Sequence, residues 1–275
     1  MKKTILITGS TDGIGLETAK ALYSLGHTVL LHGRNAEKLA AAKSNILKVD
    51  NKQKAENGHV DTYLADLSSL SDTLNLADQI KADHHQLDVL INNAGIFVTK
   101  GGLTTDGLEL RFAVNAIAPY VLTKKLLPIM SHSGRVINLS SAAQTTVDKT
   151  AITSQAVLSD GAAYGQSKLL LTMWSRHLGL SLADSGPMVV SVNPKSLLGS
   201  KMVKGAYGIA GGDLKIGADI LVRATLSDEF SQACGLYFDN DIGRFSDPHP
   251  DALNDALVNE WVQWLDSTLL SRLPS

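Results

Sequence analysis

A short apolar strand, Ile5-Leu6-Ile7, runs into Thr8-Gly9-Ser10-Thr11-Asp12-Gly13-Ile14-Gly15 and then into a helical pattern from Leu16 to Leu25. This order of strand, glycine turn and helix start constrains the fold more than any other feature of the chain. A helix N-terminus carries free N–H groups and partial positive charge, and a turn without side chains lets a pyrophosphate reach them. Gly9 can take the positive φ of a tight turn, Gly13 lets the backbone approach phosphates, and Gly15 permits close packing of helix on strand. Ser10 and Ile14 lie in the same turn and are expected beside the same ligand. In a chain with 23 glycines such a turn can also be an ordinary loop, so its meaning depends on the rest of the sequence.

Further apolar runs occur at Thr28 to His32, Val60 to Ala65, Leu87 to Ile91, Arg135 to Leu139, Met188 to Val192 and Gly235 to Phe238. With the first they make seven strands. Helical patterns lie between them at about 14–25, 36–47, 70–84, 105–130, 161–184 and 213–226, with a last one near 251–270. The alternation predicts an α/β fold: a doubly wound, parallel, seven-stranded sheet with helices on both faces, Rossmann-like, with its ligand crevice at the carboxyl ends of the strands. A length of 275 residues fits a single domain spanning residues 1–275. Two stretches interrupt the alternation: an insertion at about 142–160, rich in Ser and Thr, and a Gly- and Lys-rich stretch at about 195–212. Both follow strand ends and should overhang the crevice, the first as a pocket wall and the second as a substrate lid, unless they are plain surface loops.

With 25 Lys and Arg against 27 Asp and Glu and no block of like charge, nucleic acid and anionic membranes are poor partners; a small neutral ligand fits better. One cysteine, Cys234, allows no internal disulfide and no CxxC motif, so a reducing, cytoplasmic compartment is expected. The adjacent His84 and His85 would face different sides of a helix, and no metal site is expected. The apolar start after Met1-Lys2-Lys3 ends at Gly9, too short for an export segment, and no run reaches the roughly 18 apolar residues of a membrane span.

Gly33-Arg34-Asn35 follows the second strand, where a dinucleotide fold places the residues that read the adenosine ribose. A carboxylate there would repel a 2′-phosphate, whereas a guanidinium pairs with it in a fork geometry. Arg34 therefore points to NADP, with NAD the weaker alternative, unless it is a solvated surface arginine. Asp66-Leu67 closes the third strand, where a carboxylate could accept from the adenine amino group and a leucine pack on the ring; alternatively Asp66 caps the next helix. Asn92-Asn93-Ala94-Gly95 closes the fourth strand with small residues that leave room beside the nicotinamide ribose, and Asn92, Ala94 and Gly95 are expected there; alternatively the asparagines close an ordinary turn.

Tyr164-Gly165-Gln166-Ser167-Lys168 opens a helical pattern, which puts phenol and ammonium one turn apart on one face. A nearby cation favours the phenolate, and bringing a phenol from its reference value to about pH 7 takes about 4 kcal/mol. A lysine and a positively charged nicotinamide together could supply that. Ser141 ends the fifth strand, and Asn115 lies among apolar residues in Phe112-Ala113-Val114-Asn115-Ala116. A buried amide needs a partner, either backbone or a held water.

In these features the chain resembles the short-chain dehydrogenase/reductase family over nearly its whole length. The glycine turn, Asn92-Asn93-Ala94-Gly95, Asn115, Ser141, Tyr164 and Lys168 stand in the family's order. The resemblance implies an oxidoreductase that exchanges a hydride between NADP(H) and a carbonyl or alcohol. Tyr164 would be the acid/base and Ser141 would bond the reacting oxygen. Lys168 would hold the nicotinamide ribose and tune Tyr164, Asn115 would anchor a proton-relay water, and Pro194 would lie beside the cofactor. The 23-residue step from Ser141 to Tyr164, Gly235-Leu236-Tyr237-Phe238 and the helix carrying Trp261 and Trp264 resemble the retinol-dehydrogenase-like branch. There the insertion can cover the surface on which other members dimerise, which leaves a homodimer open. The Trp261 and Trp264 stripe, with Val258 and Leu265, reads as core rather than pocket. Where the family has glycine after the proline, this chain has Lys195, either a tolerated surface residue or a cofactor contact. A non-catalytic NADP-binding redox sensor, and an epimerase or dehydratase on the same scaffold, are the alternative functions.

Overall fold

Residues 1–48, 58–99, 102–153 and 158–268 are described by the computed structural model. The first half alternates strictly: β1 (Thr4–Ile7), α1 (Gly13–Ser24), β2 (Thr28–Gly33), α2 (Ala36–Leu47), β3 (His59–Leu64), α3 (Leu70–Asp83) and β4 (Leu87–Asn92). Side-chain oxygens of Asn35 and Ser69 cap α2 and α3 by accepting from Lys38 and Asp72 N–H, which satisfies donors that a helix start leaves open. The expected helix over 105–130 is four pieces: α4 (Leu110–Phe112), a π turn (Ala113–Ile117), α5 (Ala118–Leu126) and a 3-10 turn (Leu127–Ile129). Its start is set by Glu109, whose carboxylate accepts from Arg111 and Phe112 N–H.

The second half comprises β5 (Met130–Leu139), α6 (Lys149–Thr153), α7 (Asp160–Leu182), β6 (Met188–Asn193), α8 (Lys201–Tyr207), α9 (Leu214–Leu226), β7 (Tyr237–Asp239), β8 (Arg244–Ser246), α10 (Pro250–Leu253) and α11 (Asp255–Thr268). The strand order is β3-β2-β1-β4-β5-β6-β7-β8, parallel throughout except for β8, which pairs antiparallel with β7. The sheet therefore has eight strands rather than seven. The expected terminal helix is broken at Asn254, whose backbone is extended, and residues 269–270 of that expectation lie outside the described residues.

Order reverses between β1 and β4, and that switch point opens a crevice at their carboxyl ends. Alternate strand residues face opposite layers: Leu6, Leu30, Leu90, Val136 and Val189 pack with α3, α5, α7 and α11. Ile5, Ile7, Val29, Leu31, Ile91 and Val190 pack with α1, α2 and α9. Val258, Trp261 and Leu265 of α11 belong to the first core, where α11 closes over α5 and α7; Tyr120 Oη donates to Asp266 at 2.5 Å. No helix among the described residues is long and apolar enough to cross a membrane.

Trp174 is fully buried on α7; its Nε1 donates to Ala116 O in the π turn at 3.1 Å, and its ring meets Tyr120 edge-on at 5.5 Å. Trp174→Ala is expected to cost about 3–5 kcal/mol in urea unfolding. Trp174→Phe, which keeps ring bulk and orphans that carbonyl, should cost about 1–3 kcal/mol.

Candidate active site

The glycine turn is positioned by the end of β4. Asn93 Nδ2 donates to Thr8 O (2.8 Å) and Gly9 O (3.0 Å), while Thr8 Oγ1 accepts from the N–H groups of Asn93 and Ala94, both at 3.0 Å. Gly9 has φ +64°, and a side chain on it would meet Ala94 Cα at 2.8 Å; one on Gly15 would meet Gly9 O at 2.6 Å. Both glycines are therefore required by close approach. Asp12 caps α1 by accepting from Gly13 N–H. The N–H groups of Ile14 and Gly15, which have no acceptor within the helix, lie on the wall of a cleft of about 420 Å³.

The same wall carries Gly9, Gly13, Arg34, Asp66, Leu67, Ala94, Gly95, Tyr164, Lys168 and Pro194. Ten residues from six separate segments thus converge on one crevice. Asp66 does not cap α3, a task taken by Ser69; its Oδ1 instead accepts from Ser68 N–H at 2.9 Å.

Three expected cofactor residues are not on that wall. Ser10 is buried, and its Oγ accepts from His32 N–H at 3.0 Å. Asn35 spends its side chain on the α2 cap. Asn92 is buried on the far side of β4, with Nδ2 donating to Thr123 Oγ1 (3.1 Å) and Asn138 Oδ1 (2.7 Å); of the paired asparagines, Asn93 faces the cleft. Lys195 is exposed and off the cleft wall, and its charge favours the ionised Asp241 carboxylate. Its φ of +109° is a conformation that favours glycine, consistent with the family's preference at that position.

At the chemical end, Lys168 and Tyr164 sit one turn apart on α7, with Lys168 Nζ 5.6 Å from the centre of the Tyr164 ring and donating to Leu139 O at 2.7 Å. Ser141 comes from the end of β5, where its Oγ accepts from Ala143 N–H at 3.1 Å and its side chain favours the ionised Tyr164 phenol. Its carbonyl accepts from Tyr237 Oη (3.0 Å) and Gln144 Nε2 (2.8 Å). Burial pushes the Tyr164 phenol up, against the opposing influence of Ser141, and burial pulls the Lys168 ammonium down to about 7. The expected lowering of Tyr164 by Lys168 is thus not the net effect: desolvation dominates, and the opposing influence comes from Ser141 rather than from the lysine.

Asn115 lies within the π turn. Its Oδ1 accepts from Ile96 N–H (2.9 Å), and its Nδ2 donates to Ile96 O (3.0 Å) and Ser167 Oγ (2.9 Å). Both its N–H donors are spent on protein partners, so the amide clamps backbone, leaving only a lone pair of Oδ1 for a water. Asn115 Oδ1 and Lys168 Nζ both face the space that a side chain on Gly95 would fill, at 3.5 and 3.6 Å from its Cβ position. Phe97 stacks at 4.7 Å on Tyr164 and at 5.7 Å from Tyr207 at the end of α8.

The short chain dehydrogenase family model matches residues 3–207. The chain belongs to this family. Within it the chain groups with the retinol-dehydrogenase-like branch. It is 36% identical to human polyprenol dehydrogenase over 199 residues, 69% of this chain and 58% of that protein. To human retinol dehydrogenase 13 it is 34% identical over 197 residues, 70% of this chain and 58% of that protein. The matched region thus spans less than two thirds of either relative's length. A metagenomic short-chain oxidoreductase solved in complex with NADP superposes with a TM-score of 0.63 at 28% identity, covering 82% of this chain and 92% of that one.

One residue of this site had no motif to announce it. His32 Nδ1 accepts from Gly9 N–H and its Nε2–H donates to Ala65 O, both at 3.1 Å, so a neutral imidazole joins the glycine turn to the end of β3. Burial pushes it down to about 4, against the Ala65 bond and Asp66. Between that value and the ordinary 6.5 the unfolded chain binds a proton that the native site refuses. Stability therefore rises with pH across this window and is lost as pH falls, by about 3 kcal/mol at full extent. The urea midpoint should drop between pH 7 and pH 4.5 more steeply in the native protein than in His32→Asn; equal slopes would contradict this role.

Proposed function

We propose that the protein is an NADP(H)-dependent carbonyl reductase or alcohol dehydrogenase acting on a medium-sized apolar substrate. The observation that carries this reading is the Tyr164 and Lys168 pair on the wall of the same cleft that ends at the N-terminus of α1. The residues fit the cofactor: open N–H groups of Ile14 and Gly15 for the pyrophosphate, Arg34 for a 2′-phosphate, Asp66 and Leu67 for adenine, and the room left by Gly95 for the nicotinamide ribose. The NADP complex of the metagenomic relative supports the same choice.

Bound NADPH supplies the hydride and, once oxidised, a positive charge. Tyr164 Oη donates its proton to the carbonyl oxygen in reduction, or takes one from the hydroxyl in oxidation. Ser141 Oγ bonds that same oxygen and fixes its direction. The high proton affinity that burial gives Tyr164 keeps it protonated and ready for reduction. Lys168 would hold the ribose hydroxyls and, as an ammonium, lower the cost of a Tyr164 phenolate. Asn115 keeps Ile96 and the following Phe97 in place. Residues 195–212 act as a lid: Gly199 N–H donates to Gly212 O (2.7 Å) and Gly212 N–H to Leu197 O (2.8 Å), pinching its base, while Lys201 reaches Asp12 at 2.5 Å. Phe97, between Tyr164 and Tyr207, puts apolar rings beside the acid/base.

Tyr164→Phe is expected to lower turnover of aldehydes, ketones or quinones by at least about 100-fold while NADPH binding, followed by nucleotide fluorescence, persists. Retained turnover would overturn the mechanism.

A further inference from the structure

Arg111 is buried at the entry of the helix that carries Asn115, and it has no part in the cofactor wall. Its guanidinium is aimed by Glu109: Nε and Nη2 approach Glu109 Oε1 at 2.8 and 2.7 Å. The remaining nitrogen, Nη1, donates to Phe97 O at 3.4 Å and to Asp160 Oδ1 in a short contact. Asp160 opens α7 one turn before Tyr164, and i and i+4 share a helix face. Phe97 stacks on Tyr164. Arg111 in turn lies one turn before Asn115, which clamps Ile96. One guanidinium therefore ties together the three segments that surround the phenol.

A buried ion pair rarely stabilises a protein more than apolar residues of the same volume, because desolvating the charges offsets their attraction. What the planar fork supplies is direction, since each nitrogen accepts only a narrow range of partner positions. We infer that Arg111, through Asp160 and the Phe97 carbonyl, is a positioning residue that sets the Tyr164 hydroxyl at the proton-transfer distance. The inference rests on the reading of Tyr164 as the acid/base. A misplacement of about 1 Å in such a group is enough to cost catalysis heavily.

Changing Arg111 itself would leave Glu109 buried without its partner, and that variant can fail to fold. Asp160 is 40% exposed at its side chain, so Asp160→Ala cuts the α7 arm alone. Asp160→Ala is expected to lower kcat for carbonyl reduction about 10-fold or more, with the NADPH dissociation constant within about 2-fold and the melting temperature unchanged. Asp160→Asn keeps an oxygen acceptor for Nη1 and should recover most of kcat. Full kcat in Asp160→Ala, an equal loss in Asp160→Asn, or a loss matched by weaker NADPH binding or a lower melting temperature would overturn the inference. Tyr164→Phe measured alongside separates the two claims: if it stays active the acid/base reading fails, whereas an inactive Tyr164→Phe beside a fully active Asp160→Ala refutes the positioning role alone.

Discussion

Everything in the site depends on how closely the backbone leaving β1 approaches the backbone leaving β4. The hydrogen bonds of Thr8 and Asn93 hold the two turns together, and the absence of side chains at Gly9 and Gly15 lets them touch. That contact brings the N-terminus of α1 into the crevice, and it places Ala94 and Gly95 opposite Lys168. His32 fastens the same turn from the other side through Gly9 and Ala65. A β-carbon at Gly9 or Gly15 would force the two strand ends apart, and the cofactor end and the chemical end would no longer share one wall.

Most of the fold was legible because buried parallel strands and amphipathic helices write different periods into a sequence. The strands from β1 to β6 and the helices α1, α2, α3, α7 and α9 follow that pattern. β8 left no signal, since Arg244–Ser246 is three residues long and pairs only at the sheet edge. α8 was hidden by glycines, although Ser200 as its cap and Gly208 at φ +68° mark its ends. The break within 105–130 is a π turn, a departure in hydrogen bonding that residue spacing does not encode.

Site residues were legible where chemistry demands a type at a spacing, as with Tyr164 and Lys168, and much less so where a tertiary partner decides. Asn92 and Asn93 are identical in sequence terms, and only the pleat sends one to the core and the other to the cleft. Ser10 and Asn35 were claimed by His32 and by the α2 cap. His32 and Arg111 act on partners distant in sequence, so no local pattern points to them. Desolvation has the same character: the neighbouring lysine predicts an easier phenolate, yet the depth of the cleft raises Tyr164 and lowers Lys168.

Which nucleotide the crevice takes decides whether Arg34 reads a 2′-phosphate. Titrating the protein with NADPH and NADH by calorimetry, alongside Arg34→Ala, tests this directly. NADPH should bind at least about 10-fold more tightly than NADH, the scale of a charge-assisted phosphate contact, and the difference should vanish in Arg34→Ala. Equal affinity for the two nucleotides in the native protein, or a preference that survives the loss of Arg34, would contradict it.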